Sequence, residues 1–254
     1  MNHEPWDTIF NKYKIYQHYF DKSPFFITAE QVKQATAHFS KTTQREVRVL
    51  CKQDTRESRP HVFIENDLFI LPIKNGNYAI LKGEGYIDIP EIGKVATDYQ
   101  SKLDFCLDTA KVGNSEMQHL DFAYASSLIR SFLDDDSLVL TIRGRKYTPE
   151  FEFYAGQYKH LIQTQSVQTE VDAGYEGRDQ VVLIEAKNTK TTNTIIRQLY
   201  YPYRQWQLHT DKQVNILFFE KRKTDYFLWQ FGFEDIQQYN SINLLKAERF
   251  RIIT

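Results

Sequence analysis

The sequence has only two cysteines, Cys51 and Cys106, too few for a disulfide framework, so both are expected to be free thiols in a reducing compartment. Glycine and proline are also scarce, at 10 and 7, which argues against a flexible, linker-rich chain. There is no internal repeat and no low-complexity tract. No apolar run approaches the roughly 18 residues that a membrane helix needs, and Met1-Asn2-His3-Glu4-Pro5-Trp6 lacks the basic start and apolar stretch of a signal peptide. A soluble, cytoplasmic protein without a membrane partner is therefore expected. An excess of charge of one sign is missing too: 32 Lys and Arg stand against 33 Asp and Glu, a net charge of −1. Any contact with nucleic acid must then come from local basic clusters. The 7 histidines show no zinc-ligand spacing. With no glycine-rich phosphate loop, no nucleotide cofactor is expected either.

What the sequence does have is aromatic bulk, 16 Tyr and 18 Phe in 254 residues, enough to build a substantial core. Trp6, Ile9, Phe10, Tyr13, Tyr16 and Phe20 recur at helical spacing and predict a helix over 5–20. Thr28 with Gln31 forms a capping box for a second helix to about Phe39. From 46 to 89 the pattern turns to strands, with Asn75-Gly76 a hairpin signal. This half suits an α/β, winged-helix-like recognition module. Gly93 to Gly113 is the expected boundary region, giving an N-terminal module over 1–110 and a core over 111–254. In the core, Ser115 and Gln118 predict a helix to about Leu133 with Asp121 on its core-facing side. Strands are expected at 137–143, 150–155, 165–173, 180–187, 214–219 and 226–231. A helix capped by Thr192 or Asn193 and kinked or ended by Pro202 should lie between the last two pairs.

The chemistry concentrates in T-E-V-D-A-G-Y-E-G-R-D-Q-V-V-L-I-E-A-K-N, from Thr169 to Asn188. Successive side chains on a strand alternate faces, so Glu170 and Asp172 share one face of the first segment, and Val181, Leu183, Glu185 and Lys187 share one face of the second. The second strand is apolar on both faces and reads as central and buried. Gly174 to Asp179 is a plausible hairpin, which would set Asp172 beside Glu185. Two neighbouring carboxylates repel unless a cation neutralises them. Magnesium, which prefers one or two carboxylates with water and phosphate oxygens, matches that donor set, and the Ala186 carbonyl is a further ligand. Lys187 would set an ammonium beside a scissile phosphate, to orient or help deprotonate an attacking water and stabilise developing charge. The plainer alternative is an exposed strand-end ion pair with Asp172 in a turn. The buried strand carrying E-x-K, its paired strand and a following helix favour the site.

The D…E-A-K arrangement resembles the PD-(D/E)xK nuclease superfamily. The wider stretch from R-G-R-K (143–146) through E-V-D-A-G-Y-E, L-I-E-A-K-N and I-R-Q-L-Y-Y-P-Y-R (196–204) resembles its type II restriction endonucleases, and so do L-C-K-Q-D-T-R-E-S-R-P and I-L-P-I-K-N-G-N-Y in the first half. Val171 stands where a proline often precedes the first aspartate. The resemblance implies an α/β (α+β) protein with a restriction-endonuclease-like mixed β-sheet core flanked by helices. It implies a Mg2+-dependent enzyme, Mn2+ substituting, that hydrolyses both strands of duplex DNA at a short sequence. Asp172, Glu185 and Lys187 would be catalytic, with Asp172, Glu185 and Ala186 on the metal and Asp121, Glu170 and Gln198 auxiliary. A homodimer would place one site on each strand of a palindromic target. The candidate DNA contacts are Arg45, Arg48 and Lys52, then Arg143, Arg145 and Lys146 around a glycine, then Arg197 and Arg204 beside the site. Each arginine is equally open to a surface ion pair. Two other functions stay open: a structure-specific repair or recombination nuclease on the same core, and a non-catalytic DNA-binding regulator.

Overall fold

The structure, a computed structural model, describes residues 3–253. It opens with α1 (His3–Lys12), which buries Trp6, Ile9 and Phe10. The helix is shorter than its aromatic spacing predicts, because Lys14 takes a left-handed conformation (φ 53°) and the chain re-forms only as a 3-10 turn over Ile15–Gln17. Then come β1 (Phe25–Thr28) and α2 (Ala29–Thr36). The expected capping box is present: the Thr28 hydroxyl accepts the Gln31 N–H at 3.1 Å, and the Gln31 side chain accepts the Thr28 N–H at 2.8 Å. The helix ends before Phe39. Two short helices, α3 (Val47–Leu50) and α4 (His61–Glu65), lead into β2 (Leu68–Lys74) and β3 (Asn77–Lys82). These two strands meet at the Asn75-Gly76 turn, where Gly76 has a φ of 73°. The small sheet has the order β1-β3-β2.

Next are β4 (Tyr86–Asp88), β5 (Thr97–Gln100), α5 (Glu116–Ala125) and α6 (Leu128–Leu133). One continuous helix was expected over the last two, but Ser127 adopts a positive φ of 67° and divides it. Only half of the second capping box forms: Ser115 accepts the Gln118 N–H at 3.2 Å, while the Gln118 amide turns to the carbonyls of Thr109 and Ala110. The strands β6 (Val139–Tyr147), β7 (Phe151–Ala155), β8 (His160–Thr164), β9 (Gln168–Glu176) and β10 (Gln180–Lys187) follow. Thr192 or Asn193 was expected to cap a helix already presenting Ile195; instead Asn193–Ile195 form β11, paired with β4. The helix α7 (Arg197–Gln207) starts after Ile196 and carries Pro202 inside it without ending there. The chain closes with β12 (Gln213–Arg222), β13 (Asp225–Phe233) and β14 (Ile242–Ile253). Neither β8 nor β14 was expected.

The large sheet is mixed, in the order β5-β14-β13-β12-β10-β9-β6. β10 runs parallel to β12, joined by the α7 crossover, and antiparallel to β9. As its sequence predicts, β10 is buried on both faces. Val182, Ile184 and Ala186 pack with Leu120, Ala123, Leu128 and Ile129 of α5 and α6, while Val181 and Leu183 pack with Val171, Val214 and the α7 residues Tyr203 and Trp206. Fully burying each large apolar side chain contributes about 1.5–3 kcal/mol, so the two layers together hold β10 in register. The N-terminal sheet is not separate from this core. Phe69, Leu71, Ala79 and Leu81 share one cluster with Phe153, Leu199, Tyr200, Phe218 and Trp229.

Candidate active site

The β9–β10 pairing runs from Val181↔Glu176 to Ile184↔Ala173 and then stops. One step on, where Glu185 would face Asp172, the Asp172 carboxylate replaces the backbone partner and accepts the Ala186 N–H at 2.7 Å. A bulge in β9 creates this opening. Between the β6 pairs Ile142↔Gly174 and Gly144↔Val171, β9 spends one residue more than β6. The extra residue resets the alternation: Val171 packs under α7, whereas Ala173 and Tyr175 pack under α5 and α6. Bulges re-aim side chains in this way. On β10 the Lys187 ammonium donates to Glu185 Oε1 at 2.5 Å and to the Ala186 carbonyl at 3.1 Å. Asp172, Glu185 and Lys187 thus meet where two neighbouring strands part.

Burial pushes the Glu185 carboxyl up to about 7; the Lys187 ammonium opposes the shift and the Asp172 carboxylate adds to it. Burial also raises Asp172, against the Ala186 N–H and the Lys187 charge. Burial works against the Lys187 ammonium as well, but Glu185 and Asp172 hold its pKa above the ordinary value. Both acids therefore hold their protons more readily than free carboxyls do, and a cation bound between them would favour their ionised forms.

Residues 81–251 match the model of a domain of unknown function, DUF6997. The chain belongs to the DUF6997 family. Residues 3–80 match a second domain of unknown function, DUF6996, so the two matches meet within β3. No curated protein and no solved structure matches the chain.

The carboxylate pair and Lys187 lie wholly inside the DUF6997 match. Among the described residues no three His, Cys, Asp or Glu side chains converge as a ready cage for a metal ion. The donors on offer are two carboxylates and the Ala186 carbonyl. That set fits magnesium, which retains waters and takes substrate phosphate oxygens as its remaining ligands. A cationic group, the Lys187 ammonium, already rests on the Glu185 and Ala186 oxygens.

Of the auxiliary candidates in the DUF6997 domain, Glu170 and Gln198 line one small crevice with Glu185, Leu199 and Pro202. Gln198 accepts the Thr194 hydroxyl at 2.7 Å. Asp121 does not face the core as its helical position predicts. Leu120 and Ala123 occupy that face, and Asp121 is exposed and ion-paired with Arg143 of β6.

The basic candidates divide. Arg45 and Arg48 are exposed, Lys52 lies 3.5 Å from Asp54, and Lys146 is exposed. Arg145 is exposed and reaches Glu170 at 3.4 Å. Arg197 pairs with Asp54 at 3.4 Å. Arg204, expected to contact DNA, is buried instead: its guanidinium is engaged by the Tyr200 hydroxyl and the carbonyls of Glu152 and Ile236. Its alkyl chain and charge belong to the core, stacked near Phe151. Two residues went unread in the sequence. Asp54, from the DUF6996 segment, adds negative charge at Glu185, and Glu116, at the start of α5, does so at Lys187. Nothing in their spacing points to the site, since only folding brings them near it.

Proposed function

We propose that this DUF6997 protein is a Mg2+-dependent endonuclease that cuts duplex DNA at a short specific sequence, in the manner of a type II restriction enzyme. One observation carries the reading: Asp172 from β9 and the Glu185-x-Lys187 pair from β10 meet at the fork of two paired strands, with both carboxyls partly buried and their pKa values raised. The order of sheet and helices around the fork, with a parallel β10–α7–β12 crossover, supports a restriction-endonuclease-like core.

In the proposed reaction a water attacks phosphorus, the bond to one strand oxygen breaks, and a phosphomonoester end and a hydroxyl end result. Mg2+, with Mn2+ substituting, would polarise the phosphate and acidify the water when bound. Asp172, Glu185 and the Ala186 carbonyl would hold it. Asp172 is held by the Ala186 N–H through one oxygen, which leaves its other oxygen available as a ligand. Lys187 would leave Glu185 for the substrate, orient the water and stabilise the charge that builds on the phosphoryl oxygens. Glu170 and Gln198, in the same crevice as Glu185, would order solvent or phosphate beside it.

The N-terminal part supports a winged-helix-like recognition module: α1, β1, the α-helices α2, α3 and α4, and the β2–β3 hairpin, with strand order β1-β3-β2. Exposed Arg45, Arg48 and Lys52 would meet the duplex from this side, and Arg145 and Lys146 from the other. Arg197 would join them on leaving Asp54. A homodimer would cut both strands of a twofold site. Such an enzyme works in the cytoplasm, and among the described residues no helix is long and apolar enough to cross a membrane.

The test is to incubate the protein with supercoiled plasmid and Mg2+ and to sequence the fragment ends. Discrete bands with a common end sequence support the reading. A smear or simple nicking points to a nuclease without site preference. Intact plasmid with both Mg2+ and Mn2+, alongside tight specific binding, points to a DNA-binding regulator.

A further inference from the structure

The β9 bulge has an opposite side. Between the pairs Ile142↔Gly174 and Gly144↔Val171, a single β6 residue, Arg143, faces two β9 residues, Asp172 and Ala173. Arg143 is therefore one strand away from the carboxylate at the fork, on the flank opposite Glu185. Its side chain is 29% exposed and ion-paired with Asp121 of α5, and its other terminal nitrogen lies 3.2 Å from the Met117 sulfur. A guanidinium carries five N–H donors in a planar fork. One carboxylate oxygen and one weak thioether acceptor leave the rest of them unused.

The neighbours on β6 differ in this respect. Arg145 is 57% exposed and reaches only the equally exposed Glu170, and Lys146 is exposed, as expected of groups that meet flanking phosphates. Arg143 alone among them is half sequestered, braced by a helix, and faces the bulge. Its charge acts on Asp172 in the same sense as that of Lys187, so the carboxylate at the fork has a cationic group on each side. A planar fork of donors held beside a phosphodiester site is suited to bind non-bridging phosphoryl oxygens and to stabilise their added charge as phosphorus takes a fifth oxygen.

We propose that Arg143 is a further catalytic residue of this site, contacting the scissile phosphate, and that Asp121 is the positioning residue that holds its guanidinium toward the fork. The inference rests on the nuclease reading above and deepens it.

The experiment compares wild type, Arg143→Ala, Arg143→Lys and Asp121→Asn in single-turnover cleavage with Mg2+, in duplex binding with EDTA, and in thermal melting. The expected result for Arg143→Ala is a cleavage rate lower by about 10²–10³-fold, with binding changed only a few-fold and partial recovery of rate on adding guanidinium ion. Arg143→Lys, which keeps the charge but not the fork, should also be slow. Asp121→Asn should be about tenfold slower and should leave duplex affinity unchanged. Wild-type rates in the Arg143 variants overturn the inference while leaving the nuclease reading intact. So does a rate loss that follows lost melting temperature and shows no guanidinium recovery. A wild-type protein that cuts nothing with Mg2+ or Mn2+ overturns both.

Discussion

The Asp172 carboxylate accepts the Ala186 N–H at 2.7 Å, so one acid both closes the β9–β10 ladder and presents charge at its open end. The two roles can be separated. Asp172→Asn keeps an acceptor for that N–H and should melt close to wild type. Asp172→Ala leaves the N–H without its partner and should lose about 1–3 kcal/mol. Both should cut DNA at least about 100-fold more slowly. Denaturant titration beside a plasmid assay reads the two effects, and an active Asp172→Asn contradicts the assignment.

The second prediction concerns pH. With burial pushing the Glu185 carboxyl up to about 7 from an ordinary 4.5, the folded state keeps a proton that the unfolded chain has released. The stability of the metal-free protein from this group is therefore present below the ordinary value and lost as pH rises through the window up to about 7. A bound cation favours the ionised form, so Mg2+ should raise the melting temperature more at about pH 8 than at about pH 5. The acid limb of the cleavage profile should also move to lower pH as Mg2+ is increased. A Mg2+ effect independent of pH would show that Glu185 does not take part.

A third prediction follows from the close approach of β6 to the bulge. A Cβ on Gly174 would lie 2.6 Å from the Ile142 Cβ, a backbone-anchored atom that cannot swing away. Gly174→Ala should cost about 1–3 kcal/mol and reduce cleavage, because the strand carrying Arg143 must shift. Gly93→Ala, where nothing lies within 4 Å, is the matched control and should be silent. Equal melting of the two variants would contradict the packing described for the bulge.

The join between the DUF6996 and DUF6997 segments supplies a fourth. Buried Asn193 accepts the Arg56 N–H at 2.7 Å and donates to both Glu57 carboxylate oxygens at 3.0 Å, close to where Asp54 meets Arg197. Asn193→Ala should destabilise the protein by about 1–3 kcal/mol, because the Arg56 N–H loses its acceptor while exposed Glu57 turns to water. Thermal melting measures this, and a change under about 0.5 kcal/mol, as for an ordinary surface substitution, would show that the contact does not hold the segments together.

What was legible in the sequence was local or strongly patterned. The Thr28 capping box and the Asn75-Gly76 turn need only neighbours a few residues away, and β10 shows its burial through apolar residues on both faces. The D…E-x-K spacing located the fork, although not the bulge that opens it, because strict alternation cannot reveal an extra residue in one strand. Ser127 divides the helix in a left-handed conformation that serine rarely advertises. Thr192 or Asn193 read as the cap of a helix containing Ile195 because the strand over 193–195 exists only through pairing with Tyr86–Asp88. β14 was missed because polar Asn243, Lys246, Glu248 and Arg249 interrupt its apolar pattern. Arg204 read as a DNA contact because arginines are usually exposed; Tyr200 and two distant carbonyls hold it inside. Asp54 was invisible as a site neighbour for the same reason, its approach to Glu185 being a product of tertiary folding.

Single-turnover cleavage of a plasmid by wild type and by Lys187→Ala, under matched Mg2+ and with folding verified by melting, bears most directly on the proposed site. The expected result is defined fragments from the wild type and a rate lower by at least about 100-fold for the variant, which still binds the duplex. Equal rates for the two proteins, or no cleavage by the wild type with either Mg2+ or Mn2+, would contradict a phosphodiesterase centre built on Asp172, Glu185 and Lys187.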